Sequence, residues 1–378
     1  MIECEIAIVG AGIAGMSAGC FLAEAKRDGS RIAVLEQETQ PGYHTTGRSA
    51  AMYTEVYGNA TIRAMVKASR RFMEEPEPRY AEHSLLSPRG ALMVARADQA
   101  GRIDDFLSEM DRPDILEQVG RERCLELSPA LDPGYVAGGV YEAPAMDIDV
   151  HGLHQGYIRV FRSLGGQIVT DAGVTGIART ANGFEIETRG GESVRAEIVI
   201  NAAGAWGDMI ATMAGAVPVG LVPMRRTAIT FDPPAGMDNG SWPLSFDIDE
   251  KWYFKPDAGR VLASPADETP TAPNDAQPEE LDIAICIDRI ETATIMEVGR
   301  PASRWAGLRS FVHDHSPVNG FDDRVEGFYW LVGQGGYGIK TSPAMGRIAA
   351  SRIMGGDVPG DIVDSGLNYA NLAVERLR

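Results

Sequence analysis

Basic residues are in the minority in this chain. Its 35 lysines and arginines face 53 aspartates and glutamates, giving a formal net charge of -18 and a pI near 4.8. Such a balance repels phosphodiester backbones and anionic lipid, which excludes nucleic acid and acidic membrane as partners. Cysteine is scarce as well. Cys4, Cys20, Cys124 and Cys286 form no CxxC pair and no metal-ligand spacing, so buried free thiols and no bound metal are expected. Long apolar runs are also missing. Four glycines and a serine interrupt the stretch from Ile6 to Ala23, where a membrane span would need about 20 predominantly apolar residues. The opening Met1-Ile2-Glu3-Cys4-Glu5 has neither the basic start nor the apolar run of a signal peptide, and a cytoplasmic location is expected. No internal repeat, low-complexity tract or long linker is present. No Ser–His–Asp or Cys–His grouping suggests a protein nucleophile.

Glycine, in contrast, is plentiful, with 43 residues; hydrophobic residues make up 44% and charged residues 23%, globular proportions. At 378 residues the chain exceeds one ordinary core and suits two interleaved domains. Residues 5–9 read as a buried parallel strand, Ile13 to Ala25 as a helix and residues 31–36 as the next strand. This βαβ opening implies a doubly wound sheet. Helical patterns follow around 60–76 and 97–110, with a strand pair between them from Leu85 to Ala95. A helix from Val150 to Leu164 precedes strands at 167–170, 173–180, 183–188 and 193–200, their turns marked by Asn182-Gly183 and Gly190-Gly191. An antiparallel region spans 223–264 with a hairpin turn at Asp257-Ala258-Gly259, and Phe328 to Val332 is a strand followed by a helix over 341–352. The pattern predicts an α/β (α+β) protein. A Rossmann-like nucleotide domain is assembled from residues 1–82, 146–218 and 318–378. It interleaves with a mixed or antiparallel-sheet substrate domain from 83–145 and 219–317.

Gly10-Ala11-Gly12-Ile13-Ala14-Gly15 is a GxGxxG placed between strand and helix. Gly10 permits the tight turn, Gly12 lets backbone reach a pyrophosphate, and Gly15 lets helix and strand pack closely. The helix start then offers unpaired N–H groups to the phosphates. Glu36, 21 residues after Gly15, is placed to bond the ribose hydroxyls. A second glycine- and hydroxyl-rich segment, Gln40 to Ala51, follows at once; its Thr46-Gly47-Arg48-Ser49-Ala50-Ala51 can hold phosphate oxygens and lie against an isoalloxazine. A nicotinamide enzyme has no need of that segment, so FAD is the expected cofactor.

With these residues in view, the chain resembles the D-amino acid oxidase/glycine oxidase flavoprotein superfamily, and within it the bacterial FAD-dependent D-arginine dehydrogenases most. The resemblance rests on Pro41-Gly42-Tyr43-His44 with Thr46 to Ala51, Leu85-Leu86-Ser87-Pro88-Arg89 and Leu153-His154-Gln155-Gly156-Tyr157. It continues through Asn201-Ala202-Ala203-Gly204-Ala205-Trp206, Trp305 to Phe311 and Gln334-Gly335-Gly336-Tyr337-Gly338-Ile339. It implies that Gln37, Val174, Ala203, Gly204, Trp206, Gly335 to Ile339 and Lys340 lie at the flavin cofactor. The helix opened by the last block would stabilise negative charge on the flavin pyrimidine.

The resemblance further implies a carboxylate clamp made by Arg226 and Arg309, with Arg225 facing away from Arg226 by strand alternation. Tyr253 matches a carboxylate-bonding tyrosine, Tyr57 one that closes the site, and the Gly336 carbonyl an acceptor for the substrate amine. The departures are informative. The glutamate that pairs a guanidinium substrate falls on Ala91, a histidine of the site loop falls on Met52 near Thr54, and two pocket positions fall on Leu244 and Phe246. An alanine cannot offset desolvation of a guanidinium, so an uncharged or apolar substrate side chain is expected. The implied reaction is hydride transfer from a D-amino acid to the flavin, then hydrolysis of the imino acid to 2-oxo acid and ammonia. A separate electron acceptor, oxygen or a quinone, completes turnover. A 2-hydroxy acid or a secondary amine of the sarcosine or glycine type is the alternative substrate.

Overall fold

Ile6–Val9, Ile32–Leu35 and Phe328–Val332 carry no polar position between their apolar residues, the pattern of strands covered on both faces. The computed structural model, which describes all 378 residues, places these strands at the centre of a six-stranded sheet. Its order is Gln167–Val169, Ile32–Leu35, Ile6–Val9, Ile198–Asn201, Phe328–Val332 and Val318–Phe321. The first five run parallel and the sixth antiparallel. Helices Ile13–Lys26, Val150–Ser163 and Gly338–Ile353 cover one face through Met16, Phe161 and Met345. On the other face, Ala7, Val199 and Trp330 pack with Phe184 and Ile186. Those two residues belong to a four-stranded sheet of Ile2–Glu3, Ser193–Ala196, Gly183–Thr188 and Val174–Thr180.

A nine-stranded mixed sheet forms the second body. Its main path runs Val222–Phe231, Arg260–Ser264, Tyr253–Asp257, Leu244–Asp247, Ala91–Ala95, Gly138–Glu142 and Leu116–Gly120. Ser303–Phe311 and Thr269–Pro270 also pair with the long first strand. The pairing of Leu244–Asp247 with Ala91–Ala95 is parallel and the others antiparallel. Ile283, Cys286 and Ile290 of helix Glu280–Ala293 cover one face, against Ile229, Phe254 and Ala263. The opposite face looks toward the first body.

Several elements differ from the sequence reading. Leu86–Pro88 and Ala91–Ala95 do not pair with each other. The former joins Met146–Ile148 in a small three-stranded sheet, the latter the large sheet, and the bend between them is Gly90 at φ +77. Residues 193–200 break into Ser193–Ala196 and Ile198–Asn201. The break sits where the Glu197 and Ile198 N–H groups both donate to the Glu5 carbonyl, at 3.0 and 2.9 Å. The helix placed at 341–352 starts earlier, at Gly338, and helix Glu280–Ala293 was not anticipated. All four cysteines are free and buried; burial pushes Cys4 and Cys124 up to about 11. No helix is long and apolar enough to cross a membrane.

Candidate active site

Strand Ile6–Val9 delivers the chain into Gly10, at φ +104. A Cβ on Gly15 would lie 1.9 Å from the Gly10 carbonyl oxygen, so only glycine lets the helix approach the loop this closely. Helix Ile13–Lys26 has no side-chain cap at Gly12. Its Ile13 N–H donates to the Thr46 hydroxyl at 3.0 Å, while the Ala14 and Gly15 N–H groups find no acceptor in the chain. An uncapped helix start of this kind is an anion site. Glu36 is buried beside it and accepts from Ala11 N–H at 2.9 Å and Glu38 N–H at 3.0 Å. Burial raises its pKa, with those two N–H groups opposing. Glu36 therefore braces the fingerprint loop, a role the sequence did not suggest, while still lining the cavity. His154 supports the same loop through a 3.0 Å bond from Nε2 to the Ala11 carbonyl, and burial lowers its pKa toward the neutral donor.

The hydroxyl-rich segment folds into a single turn, Thr45–Arg48. Thr45 donates to the Leu308 carbonyl at 2.7 Å. The Arg48 guanidinium bonds the carbonyls of Ala276 and Ala306, both at 2.9 Å, and Asp275 at 2.5 Å. That hydrogen bond holds the Asp275 carboxyl below its usual range. Arg48 thus clamps the loop to the large sheet with donors that the sequence reading assigned to phosphate. His44 bonds Glu38 at 2.8 Å, and its ring lies 4.9 Å from that of Trp206.

A second uncapped helix start, Gly338–Ile353 after Tyr337, meets the cavity from the other side. Gly336 precedes it, and a Cβ there would sit 3.0 Å from Cζ of Arg309. Arg309 comes from the large sheet by register. Met224 stands opposite Arg309 and Arg226 opposite Gly307, so the two arginines are diagonal neighbours on one face. Arg225 falls on the other face and pairs with Glu279 and Asp282. Arg226 donates Nε–H to the Asp267 carbonyl at 2.7 Å and Nη2–H to Glu268 at 3.0 Å. Arg309 makes no hydrogen bond or ion pair within the chain, and it lines the cavity with Arg226 and Tyr253. Burial works against its charge, but the phenols of Tyr57 and Tyr253 and the Glu268 carboxylate outweigh burial and raise its pKa.

Every cofactor residue expected from the sequence lines this one cavity except Gly15, Gly47, Ala51, Tyr337 and Lys340. Gly15 serves helix packing, Gly47 donates to the Gly42 carbonyl at 2.9 Å, and Ala51 turns the chain at φ +58. Tyr337 packs against Tyr57 with the rings tilted by 59° and their centroids 5.2 Å apart, and Lys340 is buried behind both. Tyr57 stands outside the cavity wall, its hydroxyl donating to Glu250 at 3.3 Å. None of the five expected side-chain pocket residues lines the cavity; Ala91, Leu244 and Phe246 form a patch beside Tyr253, which does. Phe246 is opposite Tyr253 and Leu244 is level with Ala91, all on one face of the sheet. Met52 pairs with Asp147, and the buried Thr54 donates to Glu142 at 2.5 Å. Leu262 and Trp305 also line the cavity; alternation along the strand from Arg309 would have pointed to Trp305, whereas Leu262 is reached only through its pairing with Thr230. Two free helix N-termini on one elongated cavity, with small residues at each approach, fit a dinucleotide bearing a flavin.

The family model described as FAD dependent oxidoreductase, DAO, matches residues 5–352. Mitochondrial dimethylglycine dehydrogenase of Mus musculus is 24% identical over 387 residues, taking in 95% of this chain and 43% of that protein. L-2-hydroxyglutarate dehydrogenase of Escherichia coli K12 is 26% identical over 223 residues, 57% of this chain and 50% of that protein. The chain thus spans half or less of the length of these curated relatives. Among solved structures, glycine oxidase from Geobacillus kaustophilus shares the fold with a TM-score of 0.82 at 20% identity, covering 99% of each chain.

Proposed function

We propose that this chain, which belongs to the DAO family of FAD-dependent oxidoreductases and takes FAD as its cofactor, oxidises an α-amino acid at Cα. The reading narrows to a D-amino acid with an uncharged side chain, which leaves as the imino acid and hydrolyses to 2-oxo acid and ammonia. One observation carries it: the Arg309 guanidinium lines the cavity without a partner in the chain. A partly buried, unpaired arginine is a site built for an incoming anion, and a carboxylate meets its planar fork with two bonds.

The substrate carboxylate sits on Arg309, with Tyr253 beside it and Arg226 on the diagonal. The carbonyl of Gly336, a residue packed closely against Arg309, then accepts from the substrate amine. Bound FAD supplies the hydride acceptor, and oxygen or a quinone afterwards removes the electrons. The chain's own residues orient Cα–H through the carboxylate held at Arg309. The side-chain patch of Ala91, Leu244 and Phe246 carries no charge of its own, and Glu142, opposite Ala91, is held by the Thr54 hydroxyl and the Glu55 N–H. Glu55, the other acid near the site loop, is engaged by Arg70 and Arg112 and does not replace the missing glutamate. The D configuration rests on the resemblance of the sequence blocks to D-arginine dehydrogenases.

A secondary amine is the second reading, favoured by the match to dimethylglycine dehydrogenase along 95% of the chain; the same clamp would hold its carboxylate. A 2-hydroxy acid would need a base for its hydroxyl, and His44, the histidine in the cavity wall, is bonded to Glu38. Anaerobic bleaching of the flavin band by a panel of D- and L-amino acids, N-methylated glycines and 2-hydroxy acids tests the reading. Bleaching by neutral D-amino acids supports it, and bleaching by 2-hydroxy acids alone overturns it.

A further inference from the structure

Glu268 is an acid that neither the fingerprint nor the clamp motif includes, yet it stands against Arg226. Its Oε1 accepts from Arg226 Nη2–H at 3.0 Å. The backbone on both sides of it is fixed. Asp267 accepts Arg226 Nε–H through its carbonyl at 2.7 Å, and its carboxylate accepts the Thr227 N–H at 2.7 Å and the Thr227 hydroxyl at 3.0 Å. On the other side, Thr269 pairs with Arg225 in the sheet. Ala266, just before, is held at φ +53, a conformation a non-glycine residue keeps only when its surroundings impose it. Glu268 therefore reaches Arg226 from a rigid frame, unlike a side chain on a loose surface loop. Its charge is also felt at Arg309, Tyr57 and Tyr337.

We propose that Glu268 sets the charge of the site, neutralising Arg226 so that Arg309 alone is left as an uncompensated cation and the site selects monocarboxylates over dicarboxylates. The inference rests on the reading that Arg309 receives a carboxylate. Two guanidinium groups at diagonal positions, about 7–8 Å apart at their backbones, would otherwise accept the two ends of a short diacid. With Glu268 in place, a second carboxylate arriving at Arg226 meets an anion already bound there, and like charges at such range disfavour it. Glu268 is half-exposed (45% of its side chain), so its replacement by the same-sized amide leaves the fold intact.

The test uses purified holoenzyme, wild type and Glu268→Gln, titrated with non-oxidisable probes while the flavin absorbance is followed. The probes are propanoate, malonate and succinate. Wild type is expected to bind propanoate at least tenfold more tightly than either diacid. In Glu268→Gln the diacids gain at least tenfold relative to propanoate. If Glu268 merely competes with any carboxylate for Arg226, all three probes gain equally and the proposal is overturned; unchanged affinities overturn it too. Should wild type bind none of the probes, the carboxylate reading itself falls and this inference with it. Thermal unfolding of the variant within a few degrees of wild type shows that the change is local.

Discussion

Lys340 and Tyr57 meet as cation and ring: the Lys340 ammonium lies 4.9 Å from the centroid of the Tyr57 ring while donating to the Thr54 carbonyl at 3.2 Å. The ring of Tyr337 flanks it at 5.5 Å. Glu142, also buried, accepts from the Thr54 hydroxyl at 2.5 Å and the Glu55 N–H at 2.9 Å. The segment that carries Tyr57 is thus pinned from two sides by a buried lysine and a buried glutamate.

This arrangement has a signature in pH. Burial lowers the Lys340 pKa to about 7, with Glu142 opposing and Arg309 adding to the shift. In the unfolded chain the ammonium titrates near ~10.4. Between those values the unfolded state binds the extra proton, so this group makes stability rise with pH, by up to about 1.4 kcal/mol per pH unit. Wild type should therefore gain on Lys340→Met as pH climbs from about 7 to about 10 in urea unfolding. A difference between the two that stays constant over that window contradicts the assignment.

Gly15 offers a test of the cofactor loop. Alanine there would place its methyl 1.9 Å from the Gly10 carbonyl oxygen, so strand, loop or helix must shift. Overpacking on this scale costs about 1–3 kcal/mol or more. Gly15→Ala should purify with reduced FAD content and a lower melting temperature, measured by flavin-to-protein absorbance and by calorimetry. Full FAD occupancy at unchanged stability would mean that the loop is not held as described.

The side-chain patch predicts preference. Ala91 stands level with Leu244, and the acid opposite it, Glu142, is already held by the Thr54 hydroxyl and the Glu55 N–H; leaving a cationic side chain without a free partner there costs several kcal/mol. Steady-state kcat/KM should be higher for D-leucine or D-methionine than for D-arginine. Ala91→Glu should shift the D-arginine to D-leucine ratio at least tenfold toward D-arginine. A wild-type enzyme that favours D-arginine would remove the pocket argument.

The sequence made local features legible and left distant pairings hidden. Ile6–Val9, the GxGxxG turn and helix Ile13–Lys26 were readable because apolar run, glycine spacing and helix start lie within 21 residues. The separate sheets of Leu86–Pro88 and Ala91–Ala95 were not, since two adjacent apolar runs look like a hairpin until their partners, Met146–Ile148 and Leu244–Asp247, are known. Alternation was enough to turn Arg225 away from Arg226. That Arg309 is free while Arg226 is bonded depends on the path of residues 265–279, a polar stretch without periodicity. Glu268 was invisible for the same reason. Arg48 was expected at phosphate, but three of its N–H donors go to Asp275, Ala276 and Ala306, contacts across a fold that no local pattern encodes.

The most direct test of the account compares a substrate with and without its carboxylate. D-leucine and 3-methylbutylamine share the amine and side chain and differ only in the group assigned to Arg309. Wild-type enzyme should favour D-leucine in kcat/KM by at least a hundredfold, roughly 2.7 kcal/mol. In Arg309→Met, with FAD content normal, that preference should fall at least tenfold, because the cation that reads the carboxylate is gone. A preference that survives intact in Arg309→Met, or a wild-type enzyme equally fast on the amine, would contradict the claim that Arg309 receives the substrate carboxylate.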